Sequence, residues 1–176
     1  MASKLILYIA MSSDGFIAGE NDSLDFLTPY QVEGEDYGYH SFIRSIETVI
    51  VGRRTYETVV GMGYPYHEDK RVYVITSSSK DSDNEKLVYF NGDVKNMVKE
   101  LKTSQTGHIY CDGGALLVKS LLEENLIDEM VLSIIPVQLN NGTLLFEEGI
   151  IPDDFELKKK TVYSSGLIQF SYVLKQ

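Results

Sequence analysis

Apolar positions in this chain come in short dense runs separated by polar stretches. Residues 4–11, KLILYIAM, are almost continuously apolar, which predicts a central strand covered on both faces. TVIVG (48–52), RVYVIT (71–76), LVYF (87–90) and HIYC (108–111) predict further short buried strands. Between them the period changes to three or four. Residues 35–46 place Tyr39, Phe42, Ile43 and Ile46 on one side of a helix, which Gly38 weakens. Helices are expected at 54–60, at 93–102 with Asp93 or Asn91 as its cap, and at 115–126. The late segments 128–137, 155–166 and 167–175 read as strands, the last two as an antiparallel pair around Ser165-Gly166. Strand and helix alternate and then give way to strands alone. That order predicts a single domain over 1–176, an α/β fold with a mixed, mainly parallel sheet.

Residues 12–30 form a long segment with Gly-containing turns and apolar stops at Phe16, Ile17, Leu24, Phe26 and Leu27. A structured loop of that length favours a functional role. Asp14 before Gly15 reads as a turn former. The run Lys158-Lys159-Lys160 reads as the guard of a sheet edge.

Composition narrows the function. The 176 residues hold 43% apolar and 24% charged side chains, with 16 basic against 26 acidic groups and a net charge of −10. So acidic a chain lacks the phosphate-neutralising surface of a nucleic-acid binder, and no apolar run is long enough to cross a bilayer. The single cysteine, Cys111, excludes an internal disulfide framework and fits a reduced cytoplasm.

Three segments carry candidate chemistry, each directly after a strand. VIVGRRTYE (49–57) delivers Gly52 to a helix start bearing Arg53, Arg54 and Thr55. Free N–H groups at a helix start attract anions, and arginine adds a fork for phosphate. ITSSS (75–79) offers hydroxyls, and CDGGALLVKSLL (111–122) puts two glycines between a strand and a helix. Each alone is also compatible with an ordinary capped turn. Together they should gather at the carboxyl ends of a parallel sheet, where such sheets bind ligands. Two phosphate-facing signals suggest a dinucleotide, and the arginines suit an extra ribose phosphate.

The order and spacing of YIAMSSDGFIAG (8–19), LDFL (24–27), VIVGRRTYETV (49–59), VYVITSS (72–78), CDGGALLVKSLL (111–122) and LIDEMVLSIIPVQLNNGTLLF (126–146) resemble the dihydrofolate-reductase-like superfamily. The resemblance is closer to the reductase domain of bacterial bifunctional riboflavin deaminase-reductases and its stand-alone relatives. It implies a three-layer α/β/α sandwich, a bound NADPH and hydride transfer to a small substrate. Ala10 and Ile17 then match the nicotinamide-contacting positions. Gly52, Arg53, Arg54 and Thr55 match the cofactor-phosphate segment, Thr76, Ser77 and Ser78 the loop near the 2′-phosphate, and Gly113 and Gly114 the pair behind the pyrophosphate. Family members reduce a phosphoribosylamino-pyrimidine or a dihydropteridine. A folate-type activity and a non-catalytic nucleotide-binding module are the alternatives. Stand-alone relatives of this kind also imply a homodimer.

Departures from the family patterns are informative. Three histidines and one cysteine leave no zinc deaminase domain, and the chain has no tryptophan where folate enzymes carry one near Phe26. Asp36, 16 residues before Gly52, lies near the family acid and is expected as the catalytic acid, with Asp25 as the runner-up. Phe26, Tyr39 and Phe42 are expected to line an apolar substrate cleft that raises the Asp36 pKa.

Overall fold

The dense apolar runs become strands because β-branched side chains fit a pleated surface covered on both faces. The computed structural model describes residues 3–78, 80–82, 84–147 and 151–175. Ser79 of the serine run and residues 1 and 2 therefore lie outside the described residues. The strands are β1 (Leu5–Ser12), β2 (Phe16–Ala18), β3 (Ile46–Gly52), β4 (Arg71–Ile75), β5 (Leu87–Phe90), β6 (His108–Cys111), β7 (Glu129–Ile135), β8 (Thr143–Leu144), β9 (Phe155–Val162) and β10 (Ile168–Leu174). The helices are α1 (Tyr39–Arg44), α2 (Arg53–Gly61), α3 (Val94–Ser104) and α4 (Ala115–Glu123). Eight strands make one sheet in the order β5-β4-β3-β6-β1-β7-β10-β9, and β2 and β8 make a separate pair. Neighbours from β5 to β1 run parallel. Both pairings of β10, with β7 and with β9, are antiparallel. The mixed, mainly parallel α/β sheet expected from the sequence is therefore present.

The chain divides into two compact units, residues 1–7 with 44–128 and residues 8–43 with 129–176. In the first, α2 packs on β3 and β4, α3 on β6 and α4 on β3. Leu5, Leu7, Val49, Ile50, Val51, Val74 and Ile109 are fully buried there. Helix α3 buries Met97 and Val98, and its cap is Asp93 rather than Asn91, with Oδ1 accepting the Asn96 N–H at 3.0 Å. Helix α4 stops at Glu123, three residues before the expected end, where Asn125 turns to φ +51°. Lys102 Nζ donates to the Leu126 carbonyl at 2.7 Å and pairs with Asp128 at 2.6 Å, and Asp128 accepts the Leu5 N–H at 2.7 Å.

In the second unit, the long segment after β1 is more ordered than its sequence reads. It holds β2 and two short 3₁₀ turns, Glu20–Asp22 and Asp25–Tyr30. Asp14 also does more than form a turn. Its carboxylate accepts the Ser12 hydroxyl at 2.6 Å and the N–H groups of Leu139 and Asn140 at 3.1 and 2.8 Å. Helix α1 begins at Tyr39, not at residue 35, because Tyr37 and Gly38 sit at φ +52° and +83° and cannot continue a right-handed helix. The lysine run lies on β9, the terminal strand of the sheet order, as expected of an edge guard.

Candidate functional site

In the first unit the three ligand-type segments converge. Strands β4, β3 and β6 are parallel neighbours, so Ile75, Gly52 and Cys111 end on the same side of the sheet. The Gly52 N–H donates to the Gly113 carbonyl at 2.8 Å. The Gly114 N–H donates to Thr55 Oγ1 at 3.2 Å. These two bonds bring the starts of α2 and α4 together. Neither helix, each of nine residues, has a side-chain hydrogen bond from its N-cap residue, and helix starts of that kind suit an anion. Gly113 sits at φ +91°, and a Cβ on Gly114 would meet Thr55 Oγ1 at 3.1 Å. Glycine is favoured by conformation at Gly113, and a side chain at Gly114 would need the Thr55 hydroxyl to give way slightly.

Beside this cradle Arg53 Nη1 donates to Ser78 Oγ at 3.2 Å, and its Nε donates to Glu57 at 2.7 Å. Glu57 holds the Arg53 guanidinium charged and oriented, raising its pKa by hydrogen bond and charge. The Ser78 N–H reaches Thr76 Oγ1 at 3.3 Å. Arg53, Arg54, Ser77 and Ser78 are exposed, as anion-binding groups must be in a site open to ligand. Tyr89 on β5 adds to the charge environment of Arg53, and the Lys80 ammonium lies 4.8 Å from the centre of the Tyr89 ring.

A second group in this unit was missed. Asp112, directly before the glycine pair, accepts the hydroxyls of Tyr66 and, at 2.5 Å, Tyr110. The His67 ring meets Tyr66 and Tyr110 edge-on, with centroids 4.7 and 5.8 Å away. Burial raises the Asp112 pKa, and the two phenols offset part of the rise. Burial also lowers that of His67, against the pull of Asp112 and Asp69. The sequence signal was an acid beside Gly113. Nothing near Tyr66 announces that its hydroxyl reaches a residue 46 positions away.

The remaining expected site residues lie in the second unit. Ala10 is half-buried on β1 and Ile17 half-buried on β2. Tyr39 and Phe42 gather on Tyr8, whose ring stacks on Phe42 at 4.5 Å and meets Tyr39 edge-on at 5.7 Å. The Tyr8 hydroxyl donates to the Tyr37 carbonyl at 2.9 Å. Gln169 Nε2 lies 3.1 Å from each of Tyr8 Oη, the Tyr37 carbonyl and Ser133 Oγ. Burial pushes the Tyr8 phenol up to about 12. Phe26 is half-buried on the second 3₁₀ turn, and the exposed Asp25 there accepts the Ser23 hydroxyl at 2.9 Å.

Asp36 does not have the expected environment. Its carboxylate accepts the N–H groups of His40 and Gly38 at 2.8 and 3.0 Å and pairs with the His40 ring at 2.9 Å. Those hydrogen bonds hold its pKa below the ordinary value instead of raising it. The carboxyl acts as the cap of α1 and favours its charged form, the reverse of what a proton donor needs. Among the described residues, no group of three or more His, Cys, Asp and Glu could hold a metal ion.

Residues 3–169 match the RibD C-terminal domain. The uncharacterized protein YwjB of Bacillus subtilis (strain 168) is 38% identical over 98% of this chain and 99% of its own. YyaP of the same organism is 29% identical over 96% and 94%. A putative riboflavin biosynthesis protein from Shewanella sp. PV-4 superposes with a TM-score of 0.87 at 27% identity over the whole of both chains. A dihydrofolate reductase from Enterococcus faecalis, solved with NADP(H), shares the fold with a TM-score of 0.70 at 19% identity over both whole chains. Matched over nearly its full length and carrying the dihydrofolate-reductase-like sheet, this chain belongs to the RibD C-terminal domain family.

Proposed function

We propose that the protein is an NADPH-dependent reductase acting on a small heterocyclic or sugar-linked substrate, of the kind reduced in riboflavin biosynthesis. The observation that carries this reading is the pairing of two uncapped helix starts through Gly52, Gly113, Gly114 and Thr55, with Arg53 and Ser78 alongside. The donor set fits the cofactor. Two helix starts and close-packed glycines suit a diphosphate, and an arginine, hydroxyls and a lysine on an aromatic ring suit a phosphorylated adenosine. When bound, NADPH supplies a hydride. This chain's own groups supply position and the proton. Arg53 is held by Glu57 in the orientation that meets Ser78. Asp36 is held in its charged form, so the carboxyls proposed for the proton are Asp112, whose ionisation burial opposes while the Tyr66 and Tyr110 hydroxyls offset part of that rise, and the exposed Asp25. The aromatic group of Tyr8, Tyr39 and Phe42 offers stacking surface for a planar substrate.

Titration of the protein with NADPH and with NADH tests the cofactor. Arg53→Ala removes a charge-assisted bond worth ~1.5–3 kcal/mol, so NADPH affinity is expected to fall roughly 10- to 150-fold while NADH changes little. Equal losses for the two cofactors would refute the phosphate assignment. A panel of phosphoribosylamino-pyrimidine, dihydropteridine and simple carbonyl substrates, followed by loss of NADPH absorbance, tests the reaction. We further propose a homodimer built on the late strands. Every residue of β10 is only half-buried although β10 lies between β7 and β9. Light scattering is expected to give twice the 19.9 kDa chain mass.

A further inference from the structure

The turn that enters β8 carries a reactive pair outside the proposed ligand groups. Asn141 is followed by Gly142, and both are exposed. The Gly142 N–H donates to Asn141 Oδ1 at 2.8 Å, so the main-chain nitrogen already lies against the side-chain amide. Glycine leaves that nitrogen without a flanking side chain. We propose that Asn141 is a site of spontaneous deamidation, and that its conversion loosens the β2–β8 pair. Gly142 N loses its proton to solvent base and bonds to Asn141 Cγ. The Cγ–Nδ2 bond breaks, and ammonia leaves after taking a proton from water. Water then opens the cyclic imide at either carbonyl, leaving aspartate or isoaspartate at position 141. The net change is one water consumed and one ammonia released, with no oxidation or reduction.

The neighbourhood makes the change consequential. Asn141 Nδ2 donates to Glu20 Oε1 at 2.7 Å, tying the turn to the first 3₁₀ turn across 121 positions. Either product replaces that donor with a second carboxylate facing Glu20, so an attraction becomes a like-charge contact. Isoaspartate also adds a methylene to the main chain beside Gly142. That position has no slack, since Gly142 sits at φ +136° and a Cβ there would lie 2.0 Å from the Ala18 carbonyl oxygen. Ala18 pairs with Thr143 and Phe16 with Leu144, so the strain falls on the pairing itself.

The folded full-length chain is incubated at mildly alkaline pH and mapped by peptide mass spectrometry, with a urea-unfolded sample as control. Asn141 is expected to gain the mass of an amide-to-acid exchange ahead of Asn140, with isoaspartate among the products. Hydrogen exchange of amides 16–23 is expected to quicken in the converted fraction and in Asn141→Asp. Asn141→Gln, which keeps the amide but closes the imide poorly, is expected to resist both changes. An Asn141 that keeps its amide in the folded chain while converting in urea would overturn the site. Conversion with unchanged exchange at 16–23 would overturn the loosening.

Discussion

Two carboxyls show how differently the same side chain is used. Asp14 and Asp112 both lose solvent, but Asp14 gains the Ser12 hydroxyl and two backbone N–H groups, which outweigh its burial and lower its pKa. For Asp112 burial wins and the pKa rises. The two therefore tilt stability in opposite directions with pH. A lowered folded pKa gives stability that is present above the unfolded value of ~3.9 and lost as pH falls through the folded one. Asp14→Asn is expected to lose stability near neutrality and to match the parent in strong acid, read as urea midpoints across acid pH. A raised folded pKa does the reverse, lowering stability as pH climbs from ~4 through the folded value. Asp112→Asn is expected to remove that decline. If Asp112 is the proton donor, the same variant loses turnover by ~10²- to 10⁴-fold with little change in NADPH affinity. The site was half legible at this scale. Gly52, Arg53, Thr55, Ser78, Gly113 and Gly114 could be named because strand-end glycines, arginines and hydroxyls carry their chemistry in local order. Tyr66 could not, because its role exists only once its loop reaches Asp112. Asp36 misled because sequence spacing locates a carboxyl without saying whether backbone N–H groups already occupy it.

At the scale of elements, the strands were legible where burial on both faces made the apolar run continuous, as in β3 and β6. Helix ends were less so. The beginning of α1 depends on left-handed Tyr37, a conformation no propensity forecasts for tyrosine. Its carbonyl receives Tyr8 and Gln169, and its hydroxyl donates to the Tyr30 carbonyl at 2.6 Å. Tertiary partners hold the strain and so decide where the helix begins. The join between α2 and α4 rests instead on glycine. Gly113→Ala must adopt φ near +91° or break the Gly52–Gly113 bond. Chemical denaturation is expected to show a loss of ~1–2 kcal/mol from the backbone alone. Because the two helix starts would part, NADPH affinity is expected to fall together with stability. A variant that is destabilised yet binds NADPH at full strength would separate the glycine's structural role from the cradle.

The whole chain carries a net charge of −10, so on the proposed reading a phosphate-rich cofactor would be repelled by the molecule as a whole and attracted locally by the Arg53 and Lys80 cations. Alternation of strand and helix made the parallel part of the sheet readable, whereas the order β5-β4-β3-β6-β1-β7-β10-β9 was not, because pairing partners are set by packing at long sequence separation. The balance of local attraction against overall repulsion leads to a test by thermal unfolding. A ligand that binds only the folded chain at 100 times its dissociation constant adds ~2.7 kcal/mol. For a chain of this size each kcal/mol raises the unfolding midpoint by ~2–4 °C, so saturating NADPH is expected to add roughly 5–11 °C. NADH lacks the phosphate that would meet Arg53, Ser78 and Lys80, and at equal concentration is expected to add less. Salt separates the two contributions. Screening beyond ~8 Å at physiological ionic strength weakens the diffuse repulsion first, while contacts at hydrogen-bond distance persist. Moderate salt is therefore expected to preserve the NADPH increment, and high salt to shrink it toward the NADH value. Increments that are equal for both cofactors at every salt concentration would remove the 2′-phosphate from the site.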